Sequence, residues 1–160
     1  MGDTTMSKSR TVRMAAAALL GLGSLGVFAG TAQAEPIDYV KIELLELTCH
    51  QNSEGNHDEA YLNITDANGN QVKVWPGGGI SYQTMGAGYV RSLTDGNGNS
   101  ALILGREQAR TLTLWDKDTF GSDKLGSTLV TGSEVGAEVQ YRSLEGSGGV
   151  YTIAYRVIDI

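Results

Sequence analysis

Leu112-Thr113-Leu114-Trp115-Asp116-Lys117-Asp118-Thr119-Phe120-Gly121-Ser122-Asp123-Lys124-Leu125-Gly126 reads as a strand, an acidic turn and the start of a second strand. Leu112 and Leu114 alternate with Thr111, Thr113 and Trp115, the period of two of a half-buried strand. Three aspartates follow at close spacing, with Gly121 and Ser122 between the second and the third. Carboxylates held this close repel one another. A hard cation such as calcium removes the repulsion, because it gathers six to eight oxygens at about 2.3–2.6 Å. The other reading of the stretch is a solvated acidic turn.

The rest of the chain repeats the strand pattern. Tyr39 to His50 places Val40, Ile42 and Leu44 on one face, then slips phase so that Leu45, Leu47 and Cys49 carry the apolar face onward. A one-residue slip flips every later side chain, so a continuous core face requires a bulge at Leu44-Leu45. Ala60 to Ile64 and Gln71 to Trp75 flank Asp66-Ala67-Asn68-Gly69-Asn70, whose Asn-Gly is a strong hairpin signal. Short strands are predicted at Tyr89–Leu93, Ala101–Leu104, Arg110–Trp115, Leu125–Thr131, Glu138–Ser143 and Val150–Ile158. In the last of these Tyr151, Ile153, Tyr155 and Val157 share a face. From Ile80 to Gly88 no period is evident. Short strands with turns every eight to twelve residues, and no window for a helix of three turns, predict an all-β antiparallel sandwich or barrel.

The start of the chain has a different character. Lys8, Arg10 and Arg13 precede an apolar run from Ala15 to Gly30, and Thr31-Ala32-Gln33-Ala34 ends in a small-x-small pattern. This is the tripartite form of a secretory signal peptide cleaved after Ala34, and it predicts a secreted domain over residues 35–160. Cleavage removes Lys8, Arg10, Arg13 and Asp3 and moves the net charge from −6 to about −8. So acidic a chain is a poor nucleic-acid binder, since that binding rests on Lys and Arg against phosphate. It is equally a poor match for anionic lipid unless a divalent cation bridges the two. Cys49 is the sole cysteine, so no internal disulfide forms, and a buried thiol on a strand is expected.

Trp115 to Gly126 resembles the third calcium loop of the C2 domains, the calcium-dependent phospholipid-binding modules. That loop has an Asp-x-Asp pair, an aromatic residue two positions on, a further Asp, and a Gly three residues after that. Asp116, Asp118, Phe120, Asp123 and Gly126 supply these in order. Four residues separate Asp118 from Asp123, where the family usually has five. Gly55 to Ile64 is similar to the family's first calcium loop, with Asp58 before an alternating strand and Glu59-Ala60-Tyr61 in place of the usual Pro-Tyr. The family's other first-loop Asp falls on Asn52.

The resemblance implies an eight-stranded C2-like β-sandwich. It also implies a calcium site between two loops, with Asp116, Asp118 and Asp123 on one side and Asp58 on the other. Asn52 would add a neutral oxygen, and Glu54 and Glu59 stand in reserve. Implied partners are the calcium ion, a protein or cell surface, and lipid only weakly or through calcium.

Other chemistries are weaker in the sequence. Cys49, His50 and His57 match no zinc spacing. A Cys49–His pair needs His57, because His50 points to the opposite face of its strand. The turns at Asp66 and Asp95 start like EF-hand loops, but Gly77 and Arg106 stand where the twelfth-position Glu belongs. A non-enzymatic calcium-binding module is the leading expectation. A calcium-independent binding or inhibitor sandwich and a small secreted hydrolase are the alternatives.

Overall fold

The computed structural model describes residues 37–136 and 138–160. The expected signal peptide, residues 1–34, lies outside the described residues. Ten strands follow in order: β1 Tyr39–Gln51, β2 Asp58–Thr65, β3 Gln71–Trp75, β4 Gln83–Met85, β5 Val90–Ser92, β6 Ile103–Gly105, β7 Ala109–Asp118, β8 Gly121–Thr131, β9 Gln140–Gly146 and β10 Gly149–Asp159.

The strands form two antiparallel sheets. One runs β5-β1-β10-β9 with β6 also on β1, and the other runs β3-β2-β7-β8 with β4 also on β2. Since β10 takes one side of β1, β5 and β6 share the other. Likewise β3 and β4 share the side of β2 away from β7. Ten strands therefore fill eight lanes, and the fold is the antiparallel β-sandwich expected from the sequence.

Period-two patterning decides which residues face inward. Tyr151, Ile153, Tyr155 and Val157 are fully buried, as their shared face requires. In β1 the buried set is Val40, Ile42 and Leu44, then Leu47 and Cys49. The pairing of β1 with β10 shifts register between Leu44 and Glu46, so Leu45 is the bulged residue that lets both halves face the core.

The gap that β5 and β6 leave along β1 falls at Leu44. The Asn97 side chain fills it, accepting from the Leu44 N–H at 2.8 Å and donating to the Leu44 carbonyl at 2.9 Å. The Asp66–Asn70 turn closes as expected. Asp66 Oδ1 accepts from the N–H groups of Asn68 and Asn70, both at 2.8 Å, and Gly69 sits at φ +84°.

Two local expectations change. Residues 100–102 form a single 3₁₀ turn, so the strand predicted to start at Ala101 starts at Ile103. The acidic turn is shorter than the sequence suggests. β7 continues to Asp118 and β8 begins at Gly121, leaving Thr119 and Phe120 as a two-residue hairpin turn. Pairing across the ladder overrides the low strand propensity of the aspartates.

The outer strands of the two sheets come together at β8 and β9. A Cβ on Gly126 would lie 2.5 Å from the Glu145 nitrogen, and one on Gly146 would lie 2.7 Å from the Lys124 carbonyl oxygen. Only glycine allows this approach, and Gly126 also adopts φ +156°.

Candidate metal centre

Strand phase carries two carboxylates to the mouth of the sandwich. Asp58 alternates with Ala60, Leu62 and Ile64, all buried, and Asp116 continues the inward row of Leu112 and Leu114. β2 and β7 are neighbours with Ala60 opposite Asp116, so both acids reach the same end. Asp58 is 0% exposed and Asp116 is 1% exposed. Burying a carboxylate is costly unless hydrogen bonds or a cation compensate. The two residues meet that cost differently.

Asp58 is saturated by protein donors. The Ser53 N–H reaches both carboxylate oxygens at 3.0 Å, the Ser53 hydroxyl reaches Oδ1 at 3.0 Å, and the Glu54 N–H reaches Oδ1 at 3.2 Å. The Tyr151 hydroxyl, from the opposite sheet, donates to Oδ2. Burial pushes the Tyr151 hydroxyl far above the ordinary phenol range, with the bond to Asp58 adding to it, so it stays protonated as the donor.

Asn52 is engaged as well. Its Oδ1 accepts from the Ala87 N–H at 3.2 Å, and its Nδ2 donates to the Glu54 carbonyl. The backbone of Glu54 is thus held at its N–H by Asp58 and at its C=O by Asn52.

Asp116 has a different environment. Its Oδ1 accepts from the Glu59 N–H at 2.6 Å, and its Oδ2 receives no hydrogen bond among the described residues. One oxygen each from Glu54, Asp116 and Asp118 lie within 4.8 Å of one another. Burial raises the Asp116 carboxyl to about 6, and the negative charges of Asp58, Asp118 and Glu54 add to the rise while the Glu59 N–H opposes it. Glu54 is also raised, by desolvation first and then by the facing Asp118. These are the electrostatics of acids gathered without an ion pair to any of them among the described residues, although Lys117 lines the same cavity.

Of the residues expected from the sequence, Asp116 and Asp118 come together, and Glu54 joins them. Asp58 and Asn52 have their polar atoms occupied by Ser53 and Glu54 of the loop, by Tyr151 of β10 and by the Ala87 N–H. Asp123 pairs in register with Asp116, yet it is exposed and is not in the group. A bulge at Leu125, between the pairs Leu114–Gly126 and Trp115–Lys124, re-aims that end of β8. The sequence held Glu54 only in reserve, as an acid in a loop without apolar residues, and its partners are fixed by tertiary contacts.

The three carboxylates fit a calcium ion. Oxygens on opposite sides of a calcium sphere lie roughly 4.6–5.2 Å apart, twice the bond length. The donor set is oxygen only, which suits a hard cation.

The thiol and imidazole groups do not converge. Cys49 is buried opposite Tyr151 in the β1–β10 ladder, and burial pushes its thiol up. His50 bonds the Thr152 hydroxyl at 2.9 Å, and His57 packs on Tyr89 with ring centroids 5.5 Å apart. Asp95 accepts from the Gly77 N–H at 2.8 Å, and so ties its turn to the end of β3.

No family model matches the chain, and no curated protein matches it. Solved structures do. One described as a C2 domain is 11% identical, with 77% of this chain and 99% of that one covered and a TM-score of 0.43. A C2 domain of plant Extended Synaptotagmin 1 is 9% identical over 79% of this chain and 98% of that one, with a TM-score of 0.48. The calcium-bound tandem C2 domains of Extended-Synaptotagmin 2 are 14% identical over 77% of this chain and 46% of that one, with a TM-score of 0.44.

Proposed function

We propose that the chain is an exported, calcium-binding C2-like module that acts by binding and not by catalysis, with Glu54, Asp116 and Asp118 as the protein's ligands to the ion. The observation that carries this reading is Asp116. It is a carboxylate 1% exposed, with one oxygen that receives no hydrogen bond among the described residues and two further carboxylates within reach of the same point. A buried acid next to two others is destabilising until a cation neutralises it.

Calcium then joins the loop between β1 and β2, which carries Glu54, to the hairpin that carries Asp116 and Asp118. Backbone carbonyls and water complete the six to eight oxygens that calcium takes. An extracellular site is filled even at a Kd of about 10⁻⁴–10⁻³ M.

The bound surface is a protein or cell-surface partner. Lipid contact is weak and goes through calcium, because Phe120 is the one large apolar side chain at the hairpin tip and the mature net charge is about −8. Calorimetric titration of the mature chain with calcium tests the reading. A saturable heat at millimolar or lower concentration, lost on Asp116→Asn, is expected. No heat up to about 10 mM, above the weak extracellular range, would overturn it.

A further inference from the structure

We infer that Asp58, Asn52 and Tyr151 are positioning residues for Glu54: they preset the first loop from behind, and none of them touches the ion. The inference rests on the calcium reading above and deepens it.

The geometry separates holding from ligating. A carboxylate that ligates calcium presents free oxygen lone pairs to it. Asp58 directs its oxygens at two backbone N–H groups and one hydroxyl of the loop, from Ser53 and Glu54, and at the Tyr151 hydroxyl of β10. These donors converge on its two carboxylate oxygens, so Asp58 anchors the loop through hydrogen bonds. Asn52 completes the frame by donating to the Glu54 carbonyl and accepting from Ala87. The two hold Glu54 from opposite sides of its backbone, so its otherwise mobile side chain starts from a fixed Cα facing Asp116 and Asp118.

Tyr151 sets the depth of the frame. It is fully buried on β10, in the sheet that does not carry the acids, and it is the link between that sheet and Asp58. A residue on the far sheet therefore sets where a ligand on the near loop stands. Partners of this outer kind fix ligand geometry at metal sites, and losing one costs about 10–100-fold in affinity.

The test uses terbium(III), whose luminescence decay in H₂O and D₂O counts the waters left on the ion, and calcium competition, which gives affinity. Full-length native protein, Glu54→Ala, Asp58→Asn and Tyr151→Phe are compared. Loss of a ligand admits water, so Glu54→Ala shows more bound water at saturation. Tyr151→Phe is expected to weaken calcium about tenfold while leaving the saturated water count at the native value. Asp58→Asn is expected to do the same, and if it fails to fold, Asn52→Ala gives the equivalent measurement.

Native affinity in Tyr151→Phe overturns the inference. So does an increase in bound water in Asp58→Asn matching that of Glu54→Ala, since that makes Asp58 a ligand. If the native protein takes up neither terbium nor calcium, the calcium reading falls and takes this one with it. If the native protein binds and Tyr151→Phe binds equally, only the positioning role is lost.

Discussion

The carboxamide of Asn97 stands in for a strand beside Leu44, accepting the Leu44 N–H at 2.8 Å and donating to the Leu44 carbonyl at 2.9 Å. It does so where β5 ends and β6 has yet to begin, one residue before the bulge at Leu45. Without it, a donor and an acceptor next to the core would have no partner.

Asn97→Ala is therefore expected to lower stability by about 2 kcal/mol, roughly 1 for each orphaned group. Asn97→Asp keeps the acceptor but faces a carbonyl with a carboxylate, so it is expected to be at least as damaging. Urea denaturation of both variants measures this, and a change in Asn97→Ala under about 0.5 kcal/mol, the range of ordinary surface substitutions, would refute it.

Asp116 makes stability depend on pH. Its carboxyl titrates near 3.8 when unperturbed and at about 6 in the folded chain. The folded state therefore holds the proton more tightly, and stability from this group is present below about pH 4 and is lost as pH rises to about 6. In chelator, Asp116→Asn is expected to be more stable than the native protein at pH 7 by an amount on the order of 2 kcal/mol, and equal to it near pH 4. Asn keeps an oxygen for the Glu59 N–H. Equal melting temperatures at pH 7 in EGTA would contradict the assignment.

Calcium should reverse that penalty. Binding to the folded state alone adds RT ln(1 + [L]/Kd), about 2.7 kcal/mol at a hundredfold excess, which is several degrees of melting temperature for a domain of this size. Asp118→Asn removes a charged ligand and is expected to abolish most of the rise. In EGTA the same change is expected to be neutral or mildly stabilising, because it relieves repulsion with Glu54 and Asp116. Parallel melts at all calcium concentrations up to about 10 mM would leave the sandwich and remove the site.

Phe120 is 99% exposed, so Phe120→Ala is expected to change folding stability by no more than about 0.5 kcal/mol. Sedimentation with vesicles is expected to show no binding to neutral lipid, and binding to anionic lipid only with calcium and more weakly in Phe120→Ala. Strong pelleting in EGTA would contradict the electrostatic argument, since a net charge of −6, about −8 if residues 1–34 are removed as proposed, repels anionic lipid.

Export predicts a mature protein beginning at Glu35. Intact-mass analysis of the secreted product checks this, and a mass corresponding to Met1 would refute it.

Much of this was legible in local sequence. The slip at Leu44-Leu45 requires a bulge, and the structure has it. The rows Ala60-Leu62-Ile64 and Leu112-Leu114 carry their phase openly, and the structure extends each by one step, to buried Asp58 and buried Asp116. What the sequence does not show is which acid is already satisfied. One donor to Asp58 is Tyr151, 93 residues away, and the clamp on Leu44 comes from 53 residues away. Glu54 stood only in reserve beside Glu59 for the same reason, since Asn52 and Asp58 act on its backbone, and backbone contacts leave no mark on residue type. The hairpin was misjudged because Asp116-Lys117-Asp118 looks unlike a strand until its partners Asp123, Ser122 and Gly121 are known.

The meeting of β8 with β9 bears on how the protein behaves in a crowd. A strand with one unpaired side is a template on which another chain can assemble. Here Gly126 and Gly146 bring the two outer strands so close that each shields the other's open side. A larger residue at either position would prise them apart and free a row of backbone donors and acceptors. Such variants are expected to self-associate through the freed edges, so the two glycines bear on solubility as well as shape.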